Sequence, residues 1–174
     1  MKARVGYYKE LLLSVKKDIK EDLITYFNEI KYCEPSSDIQ IIHLNSEEDI
    51  QKVYSGTGFY VILTGQRFSD NSSKFTYQGK NALYRGHCYS VKKRIMSHLA
   101  NEQYNQTNSL YKVCLKVNPR ENGVNIDQEP YKKWGWTVIV HKMKGSSKVM
   151  REQAEFAFDS VFGKPCKSRE VNKS

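Results

Sequence analysis

The stretch LYRGHCYSVKKRIMSHL, Leu83 to Leu99, gathers two Tyr, two Arg, two Lys, two His and a Cys around a thin apolar stripe. Arginine is a permanently charged, bidentate partner for oxyanions, and histidine can exchange a proton near neutral pH. Ser90 suits a helix N-cap, and Val91, Ile95 and Leu99 then form one core-facing stripe, while Arg94 and His98, also four apart, share another face. The stretch therefore reads either as a basic helix that keeps a small domain soluble or as half of an active site. Upstream, Gly58-Phe59-Tyr60 opens an apolar run; downstream, REQAEFAFDSVFGKP carries Glu152 and Glu155.

These groups need elements to hold them. Tyr8, Leu11, Leu12, Val15, Ile19, Leu23 and Tyr26 recur at three and four residues, which predicts an amphipathic helix from Tyr7 to about Ile30. Ile39–Leu44 reads as a short strand, and Ser46-Glu47-Glu48-Asp49 as the start of a short helix reaching about Tyr54. GFYVILTG is rich in aromatic and β-branched residues and bounded by Gly58 and Gly65, so it predicts a buried strand. A polar, turn-rich connection, 66–80, leads into a strand from Asn81 to Arg85 that Gly86 ends. A third strand is expected over Leu110–Val117, a loop over 118–133 and a fourth strand over Trp136–His141. A last helix, capped by Ser146 or Ser147, runs through Phe162 and closes at Gly163 and Pro165.

The chain has 174 residues, 39% of them hydrophobic and 27% charged, which predicts one principal globular domain. It lacks a secretory apolar region near its start and any apolar run long enough for a bilayer, so a cytoplasmic location without membrane contact is expected. Cys33, Cys88, Cys114 and Cys166 show no CxxC pair, so reduced thiols are expected. The charge is asymmetric: residues 1–57 hold 8 Lys/Arg against 10 Asp/Glu, and residues 58–174 hold 20 against 9. A basic second part fits a polyanionic partner, because neutralising phosphates releases condensed counterions; a solvated basic surface is the plainer alternative.

Gly58-Phe59-Tyr60 opening one strand, Tyr84-Arg85-Gly86 closing the next, and Arg94 and His98 on the following helix together resemble the GIY-YIG nuclease pattern. The resemblance covers Gly58 to Pro165. It implies an α+β fold, a small antiparallel or mixed sheet flanked by helices, as residues 58–174, with residues 1–57 as an N-terminal helical extension. Members occur among homing endonucleases, restriction endonucleases and the incision subunit of bacterial nucleotide excision repair. The implied activity is metal-dependent hydrolysis of DNA phosphodiesters with Mg²⁺ or Mn²⁺. A non-catalytic nucleic-acid-binding module, and an RNA-directed nuclease or toxin effector, are the alternative readings.

Carried over by position, Tyr60 would act as general base or place the attacking water, Tyr84 would orient water or phosphate, and Arg94 would contact the scissile phosphate. His98 would assist water activation or the leaving group, and His87 would stand near the phosphate. Glu155 would hold the metal, with Glu152 as the other candidate. By residue type alone, both tyrosines can be packed strand residues, His98 a boundary histidine and both Glu solvent-facing helix acids. Arg85, Lys92, Lys93, Arg67 and Lys80 are candidate nucleic-acid contacts. Arg85 stands where the family carries an apolar residue, which implies a strand position facing solvent or nucleic acid. Ser168 stands where relatives often have Asn.

Overall fold

The computed structural model describes residues 2–100, 115–118 and 123–170. The described elements are α1 (Lys2–Glu29), β1 (Ile39–Leu44), α2 (Glu47–Ile50), β2 (Gly58–Thr64), β3 (Thr76–Tyr77), β4 (Lys80–Cys88), α3 (Val91–Leu99), a 3₁₀ turn (Tyr131–Lys133), β5 (Trp136–Lys142) and α4 (Lys148–Phe162). The strands form one antiparallel sheet in the order β1-β5-β2-β4-β3. The fold is thus α+β. Among the described residues, no helix is long and apolar enough to cross a membrane.

β2 is central and buried along its whole length, which is why its sequence is an unbroken apolar run rather than an alternating one. Tyr60 and Ile62 face one core with Val138, Val140, Val91, Ile95 and Leu99. Phe59, Val61 and Leu63 face a second core with Ile139, Ala154, Phe158 and Phe27. Each fully buried apolar side chain contributes about 1.5–3 kcal/mol, so both faces of β2 anchor the molecule. α3 covers the first face, and α1 with α4 covers the second.

β1 precedes Gly58 yet pairs with β5 in full register, Ile39 opposite His141 and Leu44 opposite Trp136. Residues on both sides of the expected boundary therefore share one sheet. The C-terminal half of α1 belongs to the second core: Phe27 is 3% exposed, and its ring lies 5.6 Å from those of both Phe59 and Phe158. The N-terminal half leaves Val5, Tyr7, Tyr8, Leu11, Leu12, Leu13 and Val15 exposed, so the predicted apolar stripe is used only from Leu23 onward.

Several element bounds differ from expectation, and α1 begins at Lys2 rather than Tyr7. α2 ends at Ile50, short of Tyr54, and Ser46 makes no side-chain cap bond. β4 does not stop at Gly86; it continues to Cys88, which pairs with Gly58. Leu115 to Val117 form no strand, and the remainder of the expected third strand lies outside the described residues. The connection 66–80 holds the short β3, turned by Gln78 and Gly79 at positive φ of 47° and 76°. This is the geometry a two-residue hairpin requires.

Candidate active site

The outer side of β4 pairs with β3 only at Lys80 and Asn81, so among the described residues no strand lies on its edge from Leu83 onward. The tail after α4 partly covers it: Lys167 donates its backbone N–H to Leu83 O at 3.1 Å, and the Arg85 N–H donates to Ser168 Oγ at 2.9 Å. Ser168, which occupies the expected Asn position, is thereby a buried tie on the second motif strand. Beside this edge lies a cleft of about 330 Å³ lined by Tyr60, Tyr84, Arg85, Gly86, His87, Arg94, Lys148, Glu152, Glu155, Arg169 and Glu170. α3 delivers Arg94 from one face of the sheet and α4 delivers both glutamates from the other.

Antiparallel pairing places Tyr60 opposite Gly86 and Ile62 opposite Tyr84, which brings the two motif tyrosines to one face as diagonal neighbours. Their rings are stacked with centroids 6.3 Å apart. The Tyr60 hydroxyl is hydrogen-bonded to His98 Nε2 at 3.0 Å, and the Tyr84 ring lies 4.5 Å from the imidazole. Both motif glycines are required by close approach. A Cβ on Gly86 would stand 2.6 Å from Tyr60 Oη, and one on Gly58 would stand 2.6 Å from His141 O.

Electrostatics keeps these groups neutral at pH 7. Burial, reinforced by Tyr84, pushes the Tyr60 phenol well above the ordinary range. Burial, then the Arg94 and Arg169 charges, depress His98 to about 3. Burial and then Arg151 depress His87 to about 4, and its Nδ1 has no hydrogen-bond partner. Glu155 moves the other way: burial raises it to about 7 against the opposing effect of Arg85, with Asp159 and Glu152 adding to the rise.

Arg85 corrects the expectation for its position. It is 2% exposed, so the position does not face solvent, and it lines the cleft. Its Nε and Nη2 donate to Asp159 Oδ1 and Oδ2 at 3.1 and 2.7 Å, and Nη1 lies 3.3 Å from Glu155 Oε2. The bidentate fork on Asp159 fixes the guanidinium, which then holds one oxygen of Glu155. Lys80 Nζ donates to Trp136 O and Thr137 Oγ1 at the far end of β4, and Lys80 does not line the cleft. Arg67, Lys92 and Lys93 do not line the cleft.

Glu152 lines the cleft one turn before Glu155 and pairs with Lys148 at 3.4 Å. Among the described residues no group of three or more His, Cys, Asp and Glu is arranged to hold a metal. One or two carboxylates, with water and a substrate phosphate completing the shell, is nevertheless the way proteins commonly hold Mg²⁺, so these hard oxygen donors fit that ion. Asp159 and Lys148 escaped the sequence reading. Asp159 stands four residues after Glu155, and the helical repeat that puts them on one face was the available signal.

Comparison with models of protein families, with curated proteins and with solved structures returned no match to this chain.

Proposed function

We propose that the protein is a metal-dependent endonuclease of GIY-YIG type that hydrolyses DNA phosphodiester bonds. The observation that carries this reading is the convergence of Tyr60 from β2, Tyr84 from β4, Arg94 from α3 and Glu155 from α4 on one cleft. In this reading the scissile phosphate sits against Arg94 and Arg169, whose charges offset the negative charge that grows in the transition state. Neutral His98 accepts the Tyr60 hydroxyl hydrogen at Nε2, leaving the phenol oxygen lone pairs to receive a hydrogen bond from the attacking water. Because burial keeps Tyr60 protonated, its role is to place that water rather than to act as a phenolate base. Tyr84 packs against His98 and borders the phosphate position. Glu155, with Glu152 beside it, would hold Mg²⁺ or Mn²⁺. That ion supplies a Lewis acid for the leaving oxygen.

One observation favours a second reading, a non-catalytic nucleic-acid-binding module: Glu155 Oε2 is already engaged by Arg85 Nη1. The test is incubation of supercoiled plasmid with Mg²⁺ or Mn²⁺ and wild type, Arg94→Ala, Glu155→Gln or Glu152→Gln, with an RNA of matching sequence as a parallel substrate. Metal-dependent nicking by wild type, lost in Arg94→Ala and Glu155→Gln, is expected. Plasmid binding without nicking moves the assignment to the second reading, and cleavage of RNA alone moves it to an RNA-directed nuclease. Loss in Glu152→Gln with normal cutting by Glu155→Gln transfers the metal to Glu152.

A further inference from the structure

Outside α1, the exposed large hydrophobic side chains among the described residues are Tyr89 and Met150. Tyr89 is 68% exposed and lies between His87, which lines the cleft, and the helix that carries Arg94. Its ring is held in place. The Arg151 guanidinium carbon sits 4.1 Å from the ring centroid, and Arg151 is itself completely buried, donating Nη1 to Ser146 O and Oγ at 2.5 and 3.2 Å. Arg151 Nε and Nη2 have no hydrogen-bond partner, so the aromatic face is what covers this cation on that side. A buried charge left with two open donors makes displacement of the ring costly.

The consequence is an aromatic ring whose inner face is fixed on Arg151 and whose outer face is presented to solvent. The neighbours of Arg151 on α4, Lys148 and Glu152, line the cleft, so the platform stands at its rim. We infer that Tyr89 is a stacking subsite for one unpaired base adjacent to the phosphate bound in the cleft, and that the substrate is nucleic acid with an unpaired nucleotide at that position. The inference rests on the nuclease reading and narrows its substrate class. Aromatic rings bind bases by stacking irrespective of sequence, and a base in a regular duplex already has both faces covered by its neighbours. A ring locked before binding also loses little conformational freedom when the base arrives.

The test measures DNA binding in EDTA, so that no strand is cut. Three probes are compared: a single strand carrying 2-aminopurine, the same strand fully paired, and a duplex with a single-stranded flap. Tyr89→Ala is expected to weaken binding of the single strand and the flap about 5- to 100-fold, with loss of 2-aminopurine quenching, and to change duplex binding less than about twofold. Tyr89→Phe keeps the ring and should bind like wild type; Tyr89→Leu covers Arg151 without an aromatic face and should behave like Tyr89→Ala. Equal affinities for Tyr89→Ala and wild type on the single strand and flap, or an equal loss on all three probes, overturn the inference. Wild type that binds none of the probes overturns instead the nuclease reading beneath it.

Discussion

Gly86 lies directly against the hydroxyl of Tyr60, opposite it in the β2–β4 ladder, and leaves no room for a Cβ: the added carbon would stand 2.6 Å from Oη and 3.1 Å from the Tyr84 ring. The glycine is what lets the first motif tyrosine reach His98 beneath the second motif strand. Tyr60 is buried in the core and cannot simply swing aside.

Gly86→Ala is therefore expected to push the Tyr60 hydroxyl away from His98. Overpacking of this kind costs about 1–3 kcal/mol of stability, and a displacement near 1 Å in a reacting site lowers turnover about 100-fold. Urea denaturation and plasmid nicking rates measure the two effects separately. A variant as active as wild type refutes the placement of Tyr60 in the reaction.

Arg85 is the counter-charge for two carboxylates on α4. Arg85→Met keeps the apolar stem but leaves Glu155 and Asp159 facing each other without a cation, and breaking a buried pair in this way costs about 3–5 kcal/mol. Adding Asp159→Leu to Arg85→Met should recover a substantial part of that loss, because one of the orphaned charges is gone. A thermal melt of the single and double variants reads the coupling.

Because Arg85 opposes the upward shift of Glu155, its removal should also move the acidic limb of the nicking profile. In wild type the Glu155 carboxyl titrates at about 7, so the carboxylate form that can hold a cation gains population as pH rises through that value. The limb should lie at higher pH in Arg85→Met, which keeps the apolar stem but loses the charge that lowers the Glu155 pKa. Identical limbs in both proteins count against Arg85 as the group that positions Glu155.

His141 joins α1 to the sheet. Its Nδ1 is hydrogen-bonded to the Tyr26 hydroxyl at 2.8 Å and its Nε2 to the Tyr32 hydroxyl at 3.3 Å, and burial depresses its pKa to about 3. An unfolded histidine titrates near 6.5. The folded state therefore binds its proton less readily than the unfolded chain, so the contribution is complete above about pH 6.5 and declines as pH falls towards 3. At pH 5 the loss from this one histidine is about 2 kcal/mol, seen as a lower urea midpoint. His141→Gln should flatten that part of the profile.

The two halves of α1 should differ in their importance. Phe27→Ala empties the ring cluster formed with Phe59, Phe158 and Phe162 and should cost about 3–5 kcal/mol, whereas Leu12→Ala, on the exposed half, should change the melting temperature little.

How much was legible follows the range of the interaction. Ile39–Leu44 and α3 from Val91 to Leu99 were readable at residue level, because strand composition and the i, i+4, i+8 stripe are local signals; Ser90 stands at the N-cap position but makes no side-chain cap bond. The true end of β4 was not, because Gly86 looks like a breaker until Cys88 is seen paired with Gly58 on β2. Half of the α1 stripe was over-read. Periodicity states which face is apolar, not whether a partner covers it, and here only the half from Leu23 onward meets α4 and the sheet.

The sequence by itself determined the elements and the chemical inventory: two motif strands, a helix with Arg94 and His98 on one face, and a later helix with two glutamates. Only the tertiary structure decided what each group faces. Arg85 reads as a surface charge until its partner Asp159, 74 positions away, comes from α4 to meet it. Glu155, Tyr60 and His98 likewise take their ionisation states first from burial, which only the packed sheet and helices create, and then from charged neighbours such as Arg85 on β4 for Glu155. Backbone preference and periodicity are short-range and survive in one dimension; desolvation and charge pairing depend on distances that exist only once the sheet has assembled.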